Sequence, residues 1–412
     1  MEQFCCLVCG SERVETFLDL GCTALANKFL VAEDLAKPEP RYPLRVGFCH
    51  ECGHVQLTAH VPPRAMFEDY LYVSSASDTL KAHFAELAQI LTERHGLNPG
   101  DLVIDIGCND GALLSCFRAH GLRTLGVDPA RNLAALASPN GIERFCGFFD
   151  ARSAPEIVAR WGRAKLITAT NTFPHIPDLH GFIRGIDLAL MPGGAFVVEA
   201  HYLVDFLEQF AFDTVYHEHV SYWALAPMQR LFARHGMEIV HAERLPIHHG
   251  QLRATIRRQG EGVVDASVVE RLADEHAHEI DRLETWHRFA DEARRVKAEL
   301  VDRLRALKRD GQRVAGYGAP AKASTLLSYA DIGPDLVEVI VDRSPLKQGR
   351  HMPGTHIPIV APEWIERHRP DVLLLLAWNF ADEIVAQQRP FTESGGRFLL
   401  PLPEVRMLET SS

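Results

Sequence analysis

Residues 216–223 read Tyr-His-Glu-His-Val-Ser-Tyr-Trp, crowding two imidazoles, a carboxylate and two phenols into eight positions. Such groups can bind a metal, move protons, or serve as buried polar packing. The zinc-protease spacing H-E-x-x-H is absent, because Glu218 is followed directly by His219, then Val220 and Ser221. Proton transfer fits the residue types better. An imidazole with an unperturbed pKa of about 6.5 is largely neutral at cellular pH and ready to accept a proton. In an extended segment Glu218 and His219 would point to opposite faces, so contact between them requires a bend.

Metal chemistry has a better candidate upstream. Cys6-Leu-Val-Cys9 precedes Gly10, and Cys49-His-Glu-Cys52 precedes Gly53, so two C-x-x-C turns each end on glycine. Zinc takes four soft ligands in a tetrahedron, and two such turns supply them with no open position. The pattern therefore predicts a structural zinc site on Cys6, Cys9, Cys49 and Cys52. Cys5 is an alternative to Cys6, Cys22 is a nearby spare, and His50 and His54 are surplus once four thiolates are in place.

Two further stretches suit ligands. Leu102–Ile106 reads as a buried strand running into Asp105-Ile-Gly107-Cys-Asn109-Asp110-Gly111, where glycines let the backbone turn sharply and approach a ligand. The next strand ends at Asp128. The dinucleotide spacing G-x-G-x-x-G is missing here. A second glycine loop, Gly316-Tyr317-Gly318-Ala319-Pro320-Ala321-Lys322, follows another apolar strand, and a later strand ends at Asp342. That pairing suggests a nicotinamide-dependent oxidoreductase. The absent third glycine and Pro320 argue against it, while Lys322 beside a helix N-terminus suits a phosphate or diphosphate. A ligand-free structural duplicate is the plain alternative.

These residues need a scaffold. Asp78–Gly96 has helical apolar spacing, a capping Asp78 and a terminal glycine. Strands and helices then alternate through Lys165–Thr170, Leu179–Leu190 and Ala195–Ala200, which predicts an open, mostly parallel α/β sheet. Residues 237–257 read as an antiparallel pair closing it. Asp265–Arg309 repeats apolar residues at helical spacing, with Trp286 a core residue. With 412 residues and 47% apolar content, the chain has material for several cores. The expected divisions are 1–75, 76–260, 261–310 and 311–412. A net charge of −11 argues against a nucleic-acid-binding face, and the absence of a long apolar run or a leader-like N-terminus points to a cytoplasmic protein without membrane partners. Oligomeric state is not legible.

The D-x-G-x-x-x-G loop with its later acid resembles the first two motifs of class I methyltransferases. That resemblance implies an S-adenosylmethionine site in which Asp105, Gly107, Asn109 and Gly111 line the loop and Asp128 takes the ribose. Phe148, Phe149 and Asp150 are candidates for the adenine pocket. Together the cysteine turns, the linker around "FEDYLYVSSASDT", "YHEHVSYW" and "GYGAPAKASTLL" resemble the sugar C-methyltransferases of deoxysugar pathways over essentially the whole chain. The family implies a thymidine diphosphate-linked 4-keto-deoxysugar, methylated at carbon 3 on the way to a natural product. It also implies three parts: a zinc module, a methyltransferase core and a C-terminal Rossmann-like domain that helps hold the nucleotide. By this resemblance His219 is the base, with Glu218 and Tyr216 as helpers and His175 in "NTFPHI" near the keto oxygen. Asn27, Lys28, Tyr70, Tyr72, Gly316, Tyr317, Gly318 and Lys322 are the substrate-binding candidates. One segment departs from the family pattern. His248-His249-Gly250-Gln251-Leu252-Arg253 stands where His-Gly-Gly-Ser-Leu-Arg is common, so His249 and Gln251 bear on the sugar pocket. Methylation at oxygen or nitrogen and a non-catalytic sugar-nucleotide binder are the competing readings.

Overall fold

The computed structural model describes residues 4–68, 70, 73–137, 141–247 and 250–408. Tyr72 and His249 therefore lie outside the described residues. The N-terminal part is an antiparallel sheet built from β1 (Val14–Thr23), β2 (Tyr42–Cys49) and β3 (Val55–Leu57). The second cysteine turn joins β2 to β3.

The helix Asp78–Arg94 follows, and it begins one residue differently from expectation. Ser77 is the cap, accepting from the Leu80 amide at 3.3 Å, while Asp78 is already in the first turn, where its charge suits the helix dipole. Leu80, Phe84, Leu87 and Leu91 form its buried stripe against Val103, Leu166 and Val197. That sheet comprises β4 (Leu102–Ile106), β5 (Arg123–Val127), β6 (Glu143–Phe145), β7 (Ala164–Thr170) and β8 (Leu190–His201), all parallel.

The chain then gives a short β9 (Ser221–Tyr222) back to the first sheet, pairing antiparallel with β3. The antiparallel pair β10 (Met237–Leu245) and β11 (Gln251–Arg258) completes the central sheet in the order β10-β11-β8-β7-β4-β5-β6. All five parallel strands end on the same side, so their C-terminal loops share one edge. Helices Ala266–Ala277 and Leu283–Arg309 connect onward. Trp286 is fully buried, and its indole N–H donates to the Ile280 carbonyl at 3.0 Å.

A third sheet holds β12 (Val314–Tyr317), β13 (Ile340–Val341), β14 (Ile359–Val360), β15 (Val372–Leu375), β16 (Arg397–Leu400) and the antiparallel β17 (Arg406–Met407). β13 and β15 are shorter than the apolar runs "VEVIVD" ending at Asp342 and "DVLLLLAW" ending at Trp378 suggest. Trp378 lies beyond β15 in a 3-10 turn, Trp378–Phe380. One apolar core is continuous from Phe17 and Phe48 through Phe173, Trp223 and Trp286 to Leu374. Such continuity fixes the three sheets against one another.

Candidate active site

The four cysteines meet. Their sulfurs lie within 4.8 Å of one another, with Cys6 Sγ 3.5 Å from Cys52 Sγ and Cys9 Sγ 3.5 Å from Cys49 Sγ. A tetrahedral zinc with bonds of about 2.3 Å places its sulfurs about 3.8 Å apart, so the donor set fits that ion. Each turn closes by a backbone bond of 2.8 Å, Gly10 to Cys6 and Gly53 to Cys49. Gly10 and Gly53 have φ of 76° and 72°, a left-handed backbone that favours glycine. Cys5 and Cys22 are exposed and outside the cluster.

The first glycine loop caps the edge of the central sheet. Asp105 is buried, accepts from Thr168 Oγ1 at 2.7 Å, and is pushed up to about 7 by that burial. Gly107 has φ of 75°, and a Cβ there would lie 2.0 Å from Thr172 Oγ1 in the loop after β7. Asn109 takes the left-handed conformation at φ 53°, and Gly111 caps the helix Ala112–Ala119. Asp128 stands over the loop, accepting from the amides of Asn109 and Ala130 at 2.8 Å each, with Arg144 3.2 Å away. A carboxylate has about four acceptor positions, so Asp128 retains capacity for a ligand hydroxyl. The linker crosses here too. Ser74 donates its amide to Asn109 Oδ1 and Ser75 to Asp110 Oδ2, at 3.0 and 3.1 Å.

Two adenine-pocket candidates have other duties. Phe149 packs into the core edge-to-face with Phe182, at 5.6 Å between ring centroids. Asp150 accepts from the amides of Arg152 and Ser153, and from the Arg152 guanidinium. Phe148, the third, is partly exposed.

Residues 216–219 form a bend, closed by a bond of 2.9 Å from the His219 amide to the Tyr216 carbonyl, but it does not bring Glu218 to His219. His217, Glu218 and His219 are at most 4% exposed. His219 Nδ1 lies 2.8 Å from the Thr214 carbonyl. A carbonyl oxygen can only accept, so Nδ1 carries the proton and the ring's free lone pair is on Nε2. Three rings surround it: Tyr216 at 4.1 Å, His201 at 4.7 Å and His175 at 5.3 Å, the last stacked in turn on Phe67. Burial pushes both His175 and His219 down to about 3, so both rings are neutral.

Glu218 turns away from this cluster. Its carboxylate accepts from Asn27 Nδ2 at 2.7 Å and Tyr70 Oη at 2.9 Å, while burial pushes it up to about 7. The orienting partner of His219 is thus the Thr214 carbonyl rather than a neighbouring carboxylate. His217 is scaffolding, with Nε2 3.2 Å from the Tyr42 carbonyl and its ring edge-on to Tyr42. Gln251 is fully buried and donates to Asn171 Oδ1 at 2.5 Å, so it shapes the turn after β7.

In the C-terminal module, Lys322 is not an open phosphate ligand. It is 8% exposed, bonded to Asn379 Oδ1, and sits 4.1 Å from the Trp378 ring centroid, with burial lowering it to about 8. A Cβ on Gly316 would meet Leu376 at 2.9 Å, and one on Gly318 would meet Ala377 at 2.7 Å, so both glycines serve close packing. Tyr317 is buried and its hydroxyl accepts from Gln388. Asp342 repeats the arrangement of Asp128, accepting from the Ala319 and Ser344 amides at 2.7 and 2.8 Å. Cations gather elsewhere. Exposed Lys28 adjoins Phe29, Lys347 Nζ lies 5.2 Å from the Phe29 ring centroid, and Arg350 Nη1 reaches the Phe29 carbonyl at 3.5 Å. That His201 joins the rings around His219, and Lys347 and Arg350 the surroundings of Phe29, was not legible in the sequence. Arg350 and His351 are contiguous basic residues, but only folding brings that loop to residues 28–30, where Leu30 bridges to His351.

Three family models match in succession: a zinc binding domain at residues 6–67, a methyltransferase domain at 79–242 and a C-methyltransferase C-terminal domain at 246–403. The second glycine loop therefore lies in a methyltransferase-associated domain, and the oxidoreductase reading falls. The chain is 40% identical to C-methyltransferase NovU of Streptomyces niveus over 408 residues, covering 99% of this chain and 97% of that one. A ubiquinone biosynthesis O-methyltransferase of Azorhizobium caulinodans is 27% identical over 147 residues, 35% of this chain and 56% of that protein. A solved S-adenosylmethionine-dependent methyltransferase from Geobacter sulfurreducens in complex with S-adenosyl-L-homocysteine aligns with a TM-score of 0.34 at 15% identity, over 48% of this chain and 99% of its own. Among the described residues no helix is long and apolar enough to cross a membrane. The near-complete mutual coverage at 40% identity, together with the glycine loop and the cysteine cluster, establishes that the chain belongs to the C-methyltransferase family and is an S-adenosylmethionine-dependent enzyme with a zinc-binding N-terminal module.

Proposed function

We propose that the enzyme methylates carbon 3 of a thymidine diphosphate-linked 4-keto-deoxysugar, with His219 as the base that creates the carbon nucleophile. The observation that carries this reading is the tautomer of His219, protonated toward the Thr214 carbonyl and unprotonated at Nε2. Carbon beside a ketone becomes nucleophilic only after loss of its α-proton, and Nε2 of His219 offers the lone pair to accept it; burial lowers the basicity of this ring, so the negative charge of the bound substrate and of the developing enolate must stabilise the imidazolium. His175, stacked on His219, Tyr216 and His201 are the polar rings around the base that could hold the enolate oxygen. Asp105, Gly107, Asn109, Gly111 and Asp128 would hold the cofactor, which supplies an electrophilic methyl on a sulfonium. Asn27 and Tyr70 hold Glu218 beside the sugar, and Lys28 and Arg350 attract the diphosphate better than the buried Lys322; Lys347 is already bonded to the Ala319 carbonyl at 2.8 Å. The natural setting is deoxysugar assembly for a natural product in the cytoplasm.

Incubating a panel of nucleotide 4-ketosugars with S-adenosylmethionine and weighing the products tests the substrate class, a gain of one methyl being expected. His219→Asn should still bind cofactor and nucleotide sugar while losing turnover by about a hundredfold or more. It should also lose exchange of the α-proton with heavy water. Exchange absent from the wild-type enzyme with substrate bound would favour methylation at oxygen or nitrogen instead.

A further inference from the structure

The carbonyl that sets the His219 tautomer belongs to a short 3-10 turn, Phe212–Thr214, and that turn is gripped by the C-terminal module. Trp378 Nε1 donates to Asp213 Oδ2 at 2.7 Å. Thr325, 2% exposed and on the helix Ala321–Tyr329, donates its hydroxyl to the Val215 carbonyl at 2.7 Å. The two peptide planes flanking Val215 are thereby both constrained. The Thr214–Val215 plane accepts from His219 Nδ1 on its carbonyl side and donates to the Phe212 carbonyl at 3.1 Å on its amide side. The Val215–Tyr216 plane is held by Thr325. With both planes set, the direction from the Thr214 carbonyl to the turn carrying His219 has little freedom.

The neighbouring Ser324 does the same for the other side of the site. Its hydroxyl donates to the Ala26 carbonyl at 3.1 Å, next to Asn27, whose amide holds Glu218. Two consecutive buried hydroxyls of one helix thus reach the two backbone segments that position His219 and Glu218.

We infer that Thr325 is a positioning residue for the base: through the Val215 peptide it keeps the Thr214 carbonyl aimed at His219 Nδ1, so that the C-terminal module sets the tautomer and aim of His219. This rests on the reading of His219 as the base. Thr325→Val preserves shape and removes only the donor. It should lower kcat about tenfold to a hundredfold, the scale of a sub-ångström to ångström misplacement, while KM for sugar and cofactor stays within about twofold. Thr325→Ser, which keeps the hydroxyl, should restore kcat. In nitrogen-15 spectra of the imidazoles, the Nδ1–H signature of His219, assigned by its loss in His219→Asn, should weaken in Thr325→Val and return in Thr325→Ser. If the valine variant melts early, Thr325→Ala takes its place in both measurements. An unchanged kcat with an unchanged Nδ1–H signature in a folded donor-less variant would overturn the positioning role. An active His219→Asn would instead overturn the base assignment, and the nitrogen signature would still decide what Thr325 does.

Discussion

His219 and Glu218 are adjacent in sequence yet respond to burial in opposite ways, because burial penalises whichever form is charged. The imidazoles of His175 and His219 are driven down to about 3 and the Glu218 carboxyl up to about 7. A histidine with a lowered folded pKa binds fewer protons folded than unfolded, so its contribution is whole above about 6.5 and is lost as pH falls toward 3. The limiting slope is about 1.4 kcal/mol per pH unit for each ring. Glu218 opposes this, since its raised pKa makes the folded state bind an extra proton between about 4.5 and 7 and so favours lower pH. Denaturation at a series of pH values should therefore show a moderate acid-side loss in the wild type. Glu218→Gln should steepen it. A flat dependence between pH 4 and 6.5 in both proteins would mean that these rings are solvated.

At the scale of elements, the central sheet presents its loops in mutual contact rather than side by side. Gly107 follows β4 and Thr172 follows β7, and the missing Cβ of the glycine is the space that Thr172 occupies. Gly107→Ala must therefore move the turn after β7 as well as strain its own left-handed backbone, which alone costs about 1–2 kcal/mol. The expected result is a lower melting temperature and at least about tenfold weaker binding of S-adenosylhomocysteine by calorimetry, where 1.4 kcal/mol is a factor of ten. Wild-type affinity in this variant would place the cofactor away from Gly107. The linker belongs to the same arrangement, because the amides of Ser74 and Ser75 rest on Asn109 and Asp110.

Across the whole molecule, the turn bearing His219 is held from two sides. The C-terminal helix holds the chain before it. The zinc module holds the chain after it: Leu57 donates to the Val220 carbonyl at 2.9 Å, His54 Nε2 lies 3.1 Å from Ser221 Oγ, and β3 pairs with β9. The Cys49–Cys52 turn leads directly into β3, so the metal anchors a strand whose partner begins two residues beyond His219. Cys49→Ser should lower zinc content and turnover together, turnover by more than about tenfold, because structural zinc sites contribute folding energy outright. Binding of S-adenosylhomocysteine should change by less than about threefold, since the central sheet supplies that site. Loss of zinc with full turnover would show that the module is dispensable for placing His219.

Local spacing by itself determined much of this protein. Two C-x-x-C turns specify a tetrathiolate wherever the chain brings them together, and a glycine loop after a buried strand specifies a ligand edge on an α/β sheet. Helical and strand periods likewise announced the alternating elements, because burying one face is a local requirement of sequence. Hydrogen-bond partners distant in sequence were not legible. Lys322 looks like a phosphate ligand beside its glycine loop, yet Trp378 and Asn379 claim it. Glu218 looks like the helper of His219, yet Asn27 and Tyr70, 191 and 148 residues away, hold it. Phe149 and Asp150 look like cofactor contacts, yet one completes a core and the other ties a loop to its own helix. A side chain's type states what it can bind. Which partner wins depends on which groups the packed elements carry within about 3 Å, and only the tertiary structure decides that.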